Sequence, residues 1–281
     1  MTLVQSMKWL FLLVLFAGPL NTFAQQGKDL VKVQLVTDVR EVKAGEPFHV
    51  GLRLKIKEGW HIYWKNPGDS GAPTKAALRL PEGFKADDWQ FPVPSAIKDP
   101  GGTVYGYTDE VMLIAKVTPP ATMSGTAAGE ISCDANWLVC EKMCLMGKGS
   151  AKLSLPAKDE KALIEKWLAR VPQPAGERAQ VTIKSSGEGT SQMFQGVIRV
   201  KSLVAEKVEW FPGPSETIST KDVNISAHDD VVEVSFQAER IGDPKAAAGQ
   251  MESVVAYTLG DGSRAGVTVP ISFASATALA K

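Results

Sequence analysis

Phe48-His49-Val50-Gly51-Leu52-Arg53-Leu54-Lys55-Ile56 sets apolar residues at every second position, with His49, Arg53 and Lys55 between them. A period of two puts one set on a buried face and the other in water, which is the pattern of a half-buried β-strand. Upstream, Val31, Val33 and Leu35 alternate with Lys32 and Gln34. Downstream, Val111–Val117, Ala128–Cys133 and Lys152–Leu155 read as further short strands between Gly- and Pro-containing turns. Strands of this kind at this spacing predict an antiparallel sandwich and an all-β fold class.

The period changes after Pro156. Leu163, Ile164, Trp167, Leu168 and Val171 fall at helical spacing within Asp159–Val171, and Pro172-Gln173-Pro174 stops the pattern. A helix followed by a Pro-containing linker suits a domain boundary. Alternation then resumes with Phe194, Ile198 and Val200, and with Val232, Val234 and Phe236. Gly260-Asp261-Gly262 offers a hairpin turn between Val254–Leu259 and Ala265–Phe273. The expected organisation is a first β domain over 28–156, a helix and linker over 157–176, and a second, smaller β domain over 177–275.

With 44% hydrophobic and 22% charged residues among 281, the chain is too apolar for a disordered protein. Its 31 basic and 31 acidic residues cancel, so no net positive field favours nucleic acid. Residues 1–24 join Lys8, the apolar run Trp9–Ala17 and a small-residue end at Ala24, which reads as a cleaved signal peptide. The apolar run breaks at Gly18-Pro19, short of the roughly 20 residues a spanning helix needs. No other window is long enough, so an exported, periplasmic protein without stable membrane insertion is expected. It works where disulfides persist.

The chemistry concentrates in Ile131–Cys144, which holds all three cysteines: Cys133, Cys140 and Cys144. If Cys133 and Cys140 share one extended stretch, they lie about 23 Å apart on opposite faces. A disulfide needs Cα atoms within about 4.4–6.8 Å. Cys140 and Cys144 satisfy this across a three-residue turn or on one helical turn, so they are the expected pair. As a structural staple the pair returns little, because so short a loop removes little unfolded-state entropy. A nearby third thiol also invites exchange, which favours a redox role. The spacing is not C-x-x-C and no βαβ pattern surrounds it, which argues against a thioredoxin fold. Cys133, ending an alternating strand, reads more readily as a buried core thiol than as a resolving one. Cys140, Met143, Cys144 and Met146 also form a soft sulfur set of the kind that selects copper(I), the alternative metal site.

Two other segments are dense in aromatic and turn residues. Gly59–Gly71 contains Trp60, His61, Tyr63 and Trp64, and Asp99–Tyr107 contains Tyr105 and Tyr107. Aromatics on Gly-rich loops serve either as a platform for peptide or sugar or as core packing. His61 is placed to contact a thiol or to act as a hydrogen-bonded structural residue.

Taken together, Gly59–Gly71, Tyr105-Gly106-Tyr107 and Trp137–Cys144 resemble the N-terminal periplasmic domain of DsbD/ScsB-type thiol:disulfide interchange proteins over about Val31–Leu155. The resemblance implies an immunoglobulin-like sandwich with a redox pair on adjacent strands, Cys140 and Cys144 here. It also implies a cap loop over the pair, formed by Thr103, Val104, Tyr105, Gly106 and Tyr107. His61, Trp64 and Cys133 are accessory candidates. The implied activity is that of a protein-disulfide reductase component with no cofactor. Electrons would come from a separate membrane carrier of the DsbD type and pass to periplasmic disulfide-containing proteins, in a setting that includes cytochrome c biogenesis. The chain departs from the pattern in its three-residue loop between the cysteines and in Leu145-Met146-Gly147 after the second. It also lacks the cap's phenylalanine, with Val104 in the corresponding place and Tyr105 or Tyr107 as substitutes for it. A peptide- or sugar-binding sandwich with a structural disulfide, and a copper(I)-binding protein, are the competing readings.

Overall fold

The computed structural model describes residues 27–123, 129–187, 191–203, 205–243, 249–274 and 277–278. The expected signal segment lies outside them. Among the described residues, no helix is long and apolar enough to cross a membrane.

Ten strands build the first sandwich: β1 (Val31–Thr37), β2 (Phe48–Ile56), β3 (His61–Gly68), β4 (Lys75–Arg79), β5 (Lys85–Ala86), β6 (Ser95–Asp99), β7 (Gly102–Thr108), β8 (Glu110–Thr118), β9 (Gly129–Cys140) and β10 (Cys144–Leu155). One sheet has the order β1-β2-β8-β5. The other runs β10-β9-β3-β7-β6, with β4 pairing along the first part of β9. Every pairing in both sheets is antiparallel. The fold is all-β and immunoglobulin-like.

The alternation at Phe48–Ile56 does what its period demands. Phe48, Val50, Leu52 and Leu54 are buried against Val111, Leu113, Ile131 and Trp137 in one core. Each such side chain removed from water contributes about 1.5–3 kcal/mol, against about 1–2 kcal/mol for each residue whose backbone is fixed. The polar positions His49, Arg53 and Lys55 remain partly or fully in solvent.

Helix α1 (Lys161–Leu168) is shorter than the periodicity predicts. The Asp159 carboxylate accepts from the Lys161 amide at 2.8 Å, so Asp159 caps the first turn from outside it. At the other end, the Arg170 and Val171 amides bond back only three residues, tightening the chain ahead of Pro172. Ile164 and Trp167 are buried in the first core, so the helix packs on this sandwich and is more than a spacer.

Beyond it, β11 (Gln173–Pro174), β12 (Ala179–Ser186), β13 (Met193–Val200), β14 (Lys207–Phe211), β15 (Ile218–His228), β16 (Val231–Arg240), β17 (Gln250–Thr258), β18 (Arg264–Ser272) and β19 (Thr277–Ala278) form two more sheets. Their orders are β11-β18-β17-β14 and β15-β16-β13-β12-β19. A second core of Phe194, Ile198, Trp210, Val234, Phe236 and Val255 lies between them.

Candidate functional site

The β9–β10 hairpin runs without a break to its tip, where Cys140 and Cys144 face each other in register. Their Cα atoms are 4.2 Å apart and their sulfurs are bonded, with Glu141, Lys142 and Met143 as the turn. Strand parity decides where the bond lies. Ile131, Cys133, Ala135, Trp137 and Val139 point into the core, so Leu138 and Cys140 point out of the other face of the sheet.

That outer face has its own small apolar cluster. Cys140, Tyr63 and Val104 are buried together, with Ile97 and Leu138 at the edge. Cys140 is 1% exposed, whereas Cys144 is open to solvent and flanked by Met143 and Met146 at 63% and 71% exposure. The disulfide therefore has one shielded sulfur and one accessible sulfur.

Polar groups converge on the shielded one. The Tyr63 hydroxyl donates to Cys140 Sγ at 3.1 Å and lies 3.9 Å from Cys144 Sγ. His61 Nε2 is 3.4 Å from the Tyr63 oxygen and 3.6 Å from Asp99 Oδ2. The other Asp99 oxygen accepts the Gly101 amide at 3.0 Å, fixing the carboxylate on the β6–β7 turn. Burial lowers the pKa of His61, opposed in part by the Asp99 charge. Burial raises the pKa of Tyr63, and the same carboxylate raises it further. Near neutral pH the imidazole is thus uncharged and the phenol keeps its proton, so Tyr63 remains a donor to sulfur.

Two glycines make the arrangement possible. Gly71 has φ +99°, and any side chain there would overlap the Tyr63 ring. A side chain at Gly106 would overlap the Ile62 carbonyl, so β7 lies flush against β3 only with glycine at that position.

This close pairing corrects the cap-loop expectation. Thr103–Tyr107 is not a loop but the middle of β7, bonded to β6 on one side and β3 on the other. Val104 covers Cys140 from within the sheet. Tyr105 and Tyr107 point into the core side, and the Tyr107 hydroxyl donates to the Pro92 carbonyl at 2.7 Å.

Of the accessory residues, His61 reaches the site through Tyr63, while Trp64 is buried in the core at 1% exposure. Cys133 is fully buried on the opposite face, and burial pushes its thiol up to about 11, with Asp134 adding to the rise. In the disulfide state Cys140 and Cys144 offer no thiolate, so the alternative copper(I) set with Met143 and Met146 exists only after reduction. Tyr63 and Asp99 carry no motif that marks them as site residues in the sequence. The usable signal was that Tyr63 follows His61 by two, the spacing that puts both on one face of a strand.

Residues 28–156 match the family model for the N-terminal region of the thiol:disulfide interchange protein DsbD. Those residues form a DsbD-type N-terminal domain. The same fold recurs in the N-terminal periplasmic domain of ScsB from Proteus mirabilis, at 18% identity and TM-score 0.62. That match covers 88% of this chain and 95% of the ScsB chain, so it includes both sandwiches. The Enterococcus faecalis MSCRAMM ACE aligns over 86% of this chain and 93% of its own, at 13% identity and a TM-score of only 0.22. No curated protein matches the sequence. The match of residues 28–156 to a family of thiol:disulfide interchange proteins supports a redox role, and the disulfide at the hairpin tip is consistent with it.

Proposed function

We propose that this protein is a periplasmic thiol–disulfide exchange module whose working pair is Cys140 and Cys144. The supporting observation is the asymmetry of the bond: Cys144 is exposed, and Cys140 is buried with a tyrosine hydroxyl aimed at its sulfur. A partner thiolate attacks Cys144 Sγ, the sulfur it can reach. The sulfur–sulfur bond breaks, and Cys140 leaves with the electron pair as a thiolate. The Tyr63 hydroxyl stabilises that charge, and a hydrogen bond to an ionised acceptor is worth about 1.5–3 kcal/mol.

The partner's second thiolate then attacks its own sulfur in the mixed disulfide and releases Cys144. Two electrons have moved to this protein, and the partner leaves oxidised. In the forward step Cys144 attacks a substrate disulfide and Cys140 resolves the adduct. The donor in this scheme is a separate membrane carrier of the DsbD type, and the acceptors are periplasmic disulfide-containing proteins.

Redox titration of the purified protein in glutathione buffers, followed by thiol labelling, tests the role. Reversible reduction within the glutathione range, about −180 to −260 mV, is the expected result. A bond that stays oxidised far below about −300 mV is a structural staple, and the proposal fails.

A further inference from the structure

The second sandwich meets the redox site through the strand that carries Tyr63. Strand β3 pairs with β7 up to Tyr63, opposite Gly106, and resumes only at Gly68, opposite Val104. Residues 64–67 therefore arch off the ladder directly after the tyrosine. The second sandwich holds that arch. Phe211, 1% exposed at the end of β14, meets Trp64 edge-on at 6.2 Å and Tyr105 edge-on at 5.1 Å. The Asn66 amide donates to the Pro212 carbonyl at 2.8 Å and to that of Gly213 at 3.3 Å. Its own oxygen accepts the Gly68 amide at 3.1 Å, returning the chain to the ladder. Lys65 pairs with Glu252 at 3.2 Å.

From these contacts we infer that the second sandwich is a positioning element for the redox pair, acting through Asn66 and Phe211 on Tyr63. The inference rests on the exchange function proposed above and gives the second sandwich a duty within it. Tyr63 and Val104 touch Cys140 from one face of the β3–β7 ladder, while Trp64 and Tyr105 are gripped by Phe211 from the other. An arch left free beside Tyr63 lets its long side chain tilt. A misplacement of about 1 Å at a positioned group costs as much as a hundredfold in rate.

The test is the rate at which dithiothreitol reduces the disulfide in the full chain, compared in wild type, Asn66→Ala, Phe211→Leu, Tyr63→Phe and the Asn66→Ala/Tyr63→Phe double variant. Arg199→Gln, an exposed change in the second sandwich, is the control, and far-UV circular dichroism verifies folding. Asn66→Ala and Phe211→Leu each slow reduction by about three- to tenfold, and the Asn66→Ala effect disappears once Tyr63 is phenylalanine. Phe211→Leu alters packing whereas Asn66→Ala removes hydrogen bonds, so if one of them does not fold, the other still reads the single-variant effect.

Unchanged rates in the folded single variants, or Asn66→Ala and Tyr63→Phe effects that simply multiply, overturn the positioning role and leave the exchange function intact. A wild-type bond that dithiothreitol cannot reduce overturns both.

Discussion

The two faces of β9 use the same residue type in opposite ways. Inward, Cys133 sits fully buried in the main core, its thiol pushed up to about 11 and so kept protonated. Outward, Cys140 is equally buried yet bonded to a sulfur that solvent reaches, beneath a tyrosine hydroxyl. Burial alone does not distinguish them. What differs is the company: apolar side chains around Cys133, and a donor with an exposed partner around Cys140. Desolvation makes a thiolate costly on both faces. Around Cys133 the Asp134 charge adds to the cost, and a backbone hydrogen bond at Ala77 and the Arg79 charge offset only part of it, whereas Cys140 faces the Tyr63 hydroxyl.

Removing that group is the largest way to break the contrast, short of removing a cysteine. Tyr63→Phe keeps the ring packed against Gly71 and deletes the hydroxyl, so the leaving Cys140 thiolate loses about 2 kcal/mol of stabilisation. Reduction by dithiothreitol, followed by stopped-flow fluorescence, is expected to slow by about tenfold or more. The same substitution raises the pKa of Cys140 in the reduced protein, readable from thiolate absorbance against pH.

Altering the inner face has a different consequence. Cys133→Ala leaves the exchange rate unchanged and lowers stability by about 1 kcal/mol, because a buried sulfur is replaced by a small void. Denaturant unfolding of the oxidised protein measures this. A large loss of exchange in Cys133→Ala shows that the inner thiol takes part after all.

The smallest effect concerns His61. Its folded pKa lies below the ordinary 6.5, chiefly because it is buried, so the unfolded chain takes up a proton first as pH falls. The stability contributed by neutral His61 is present in full above pH 6.5 and declines as pH falls from there to the folded value. His61→Gln is expected to flatten the pH dependence of unfolding in that window. An unaltered slope rules His61 out as its source.

How much of this was legible in the sequence follows from burial. Strand β2 has one wet and one dry face, so its period of two reads directly. The Cys140–Cys144 pairing was legible for a related reason, since reach and parity exclude a Cys133–Cys140 bond within one extended strand and a three-residue turn brings Cys144 to Cys140. Strand β3 was not legible. His61, Ile62, Tyr63 and Trp64 are all buried, two against the core and two beneath the outer cluster, so no alternation marks them. Pro67 and Gly68 made the same segment look like a turn. Strand β7 was hidden likewise by Gly102 and Gly106, residues that usually signal loops and here permit close pairing. The site residues missed, Tyr63 and Asp99, lie on or beside these two unreadable elements. Their convergence on Cys140 depends on strand order, which local pattern does not encode.

The claim that the two sulfurs have separate roles is tested most directly by comparing single-cysteine variants. Cys140→Ser leaves Cys144 as the free thiol of the pair, and Cys144→Ser leaves Cys140. Each is reacted with a small aromatic disulfide at fixed pH, with Cys133→Ala in the background so that only one thiol reports. The account predicts that Cys144 forms the mixed disulfide rapidly, while Cys140, covered by Tyr63, Val104 and Leu138, reacts slowly or not at all. Equal rates, or a faster Cys140, contradict it.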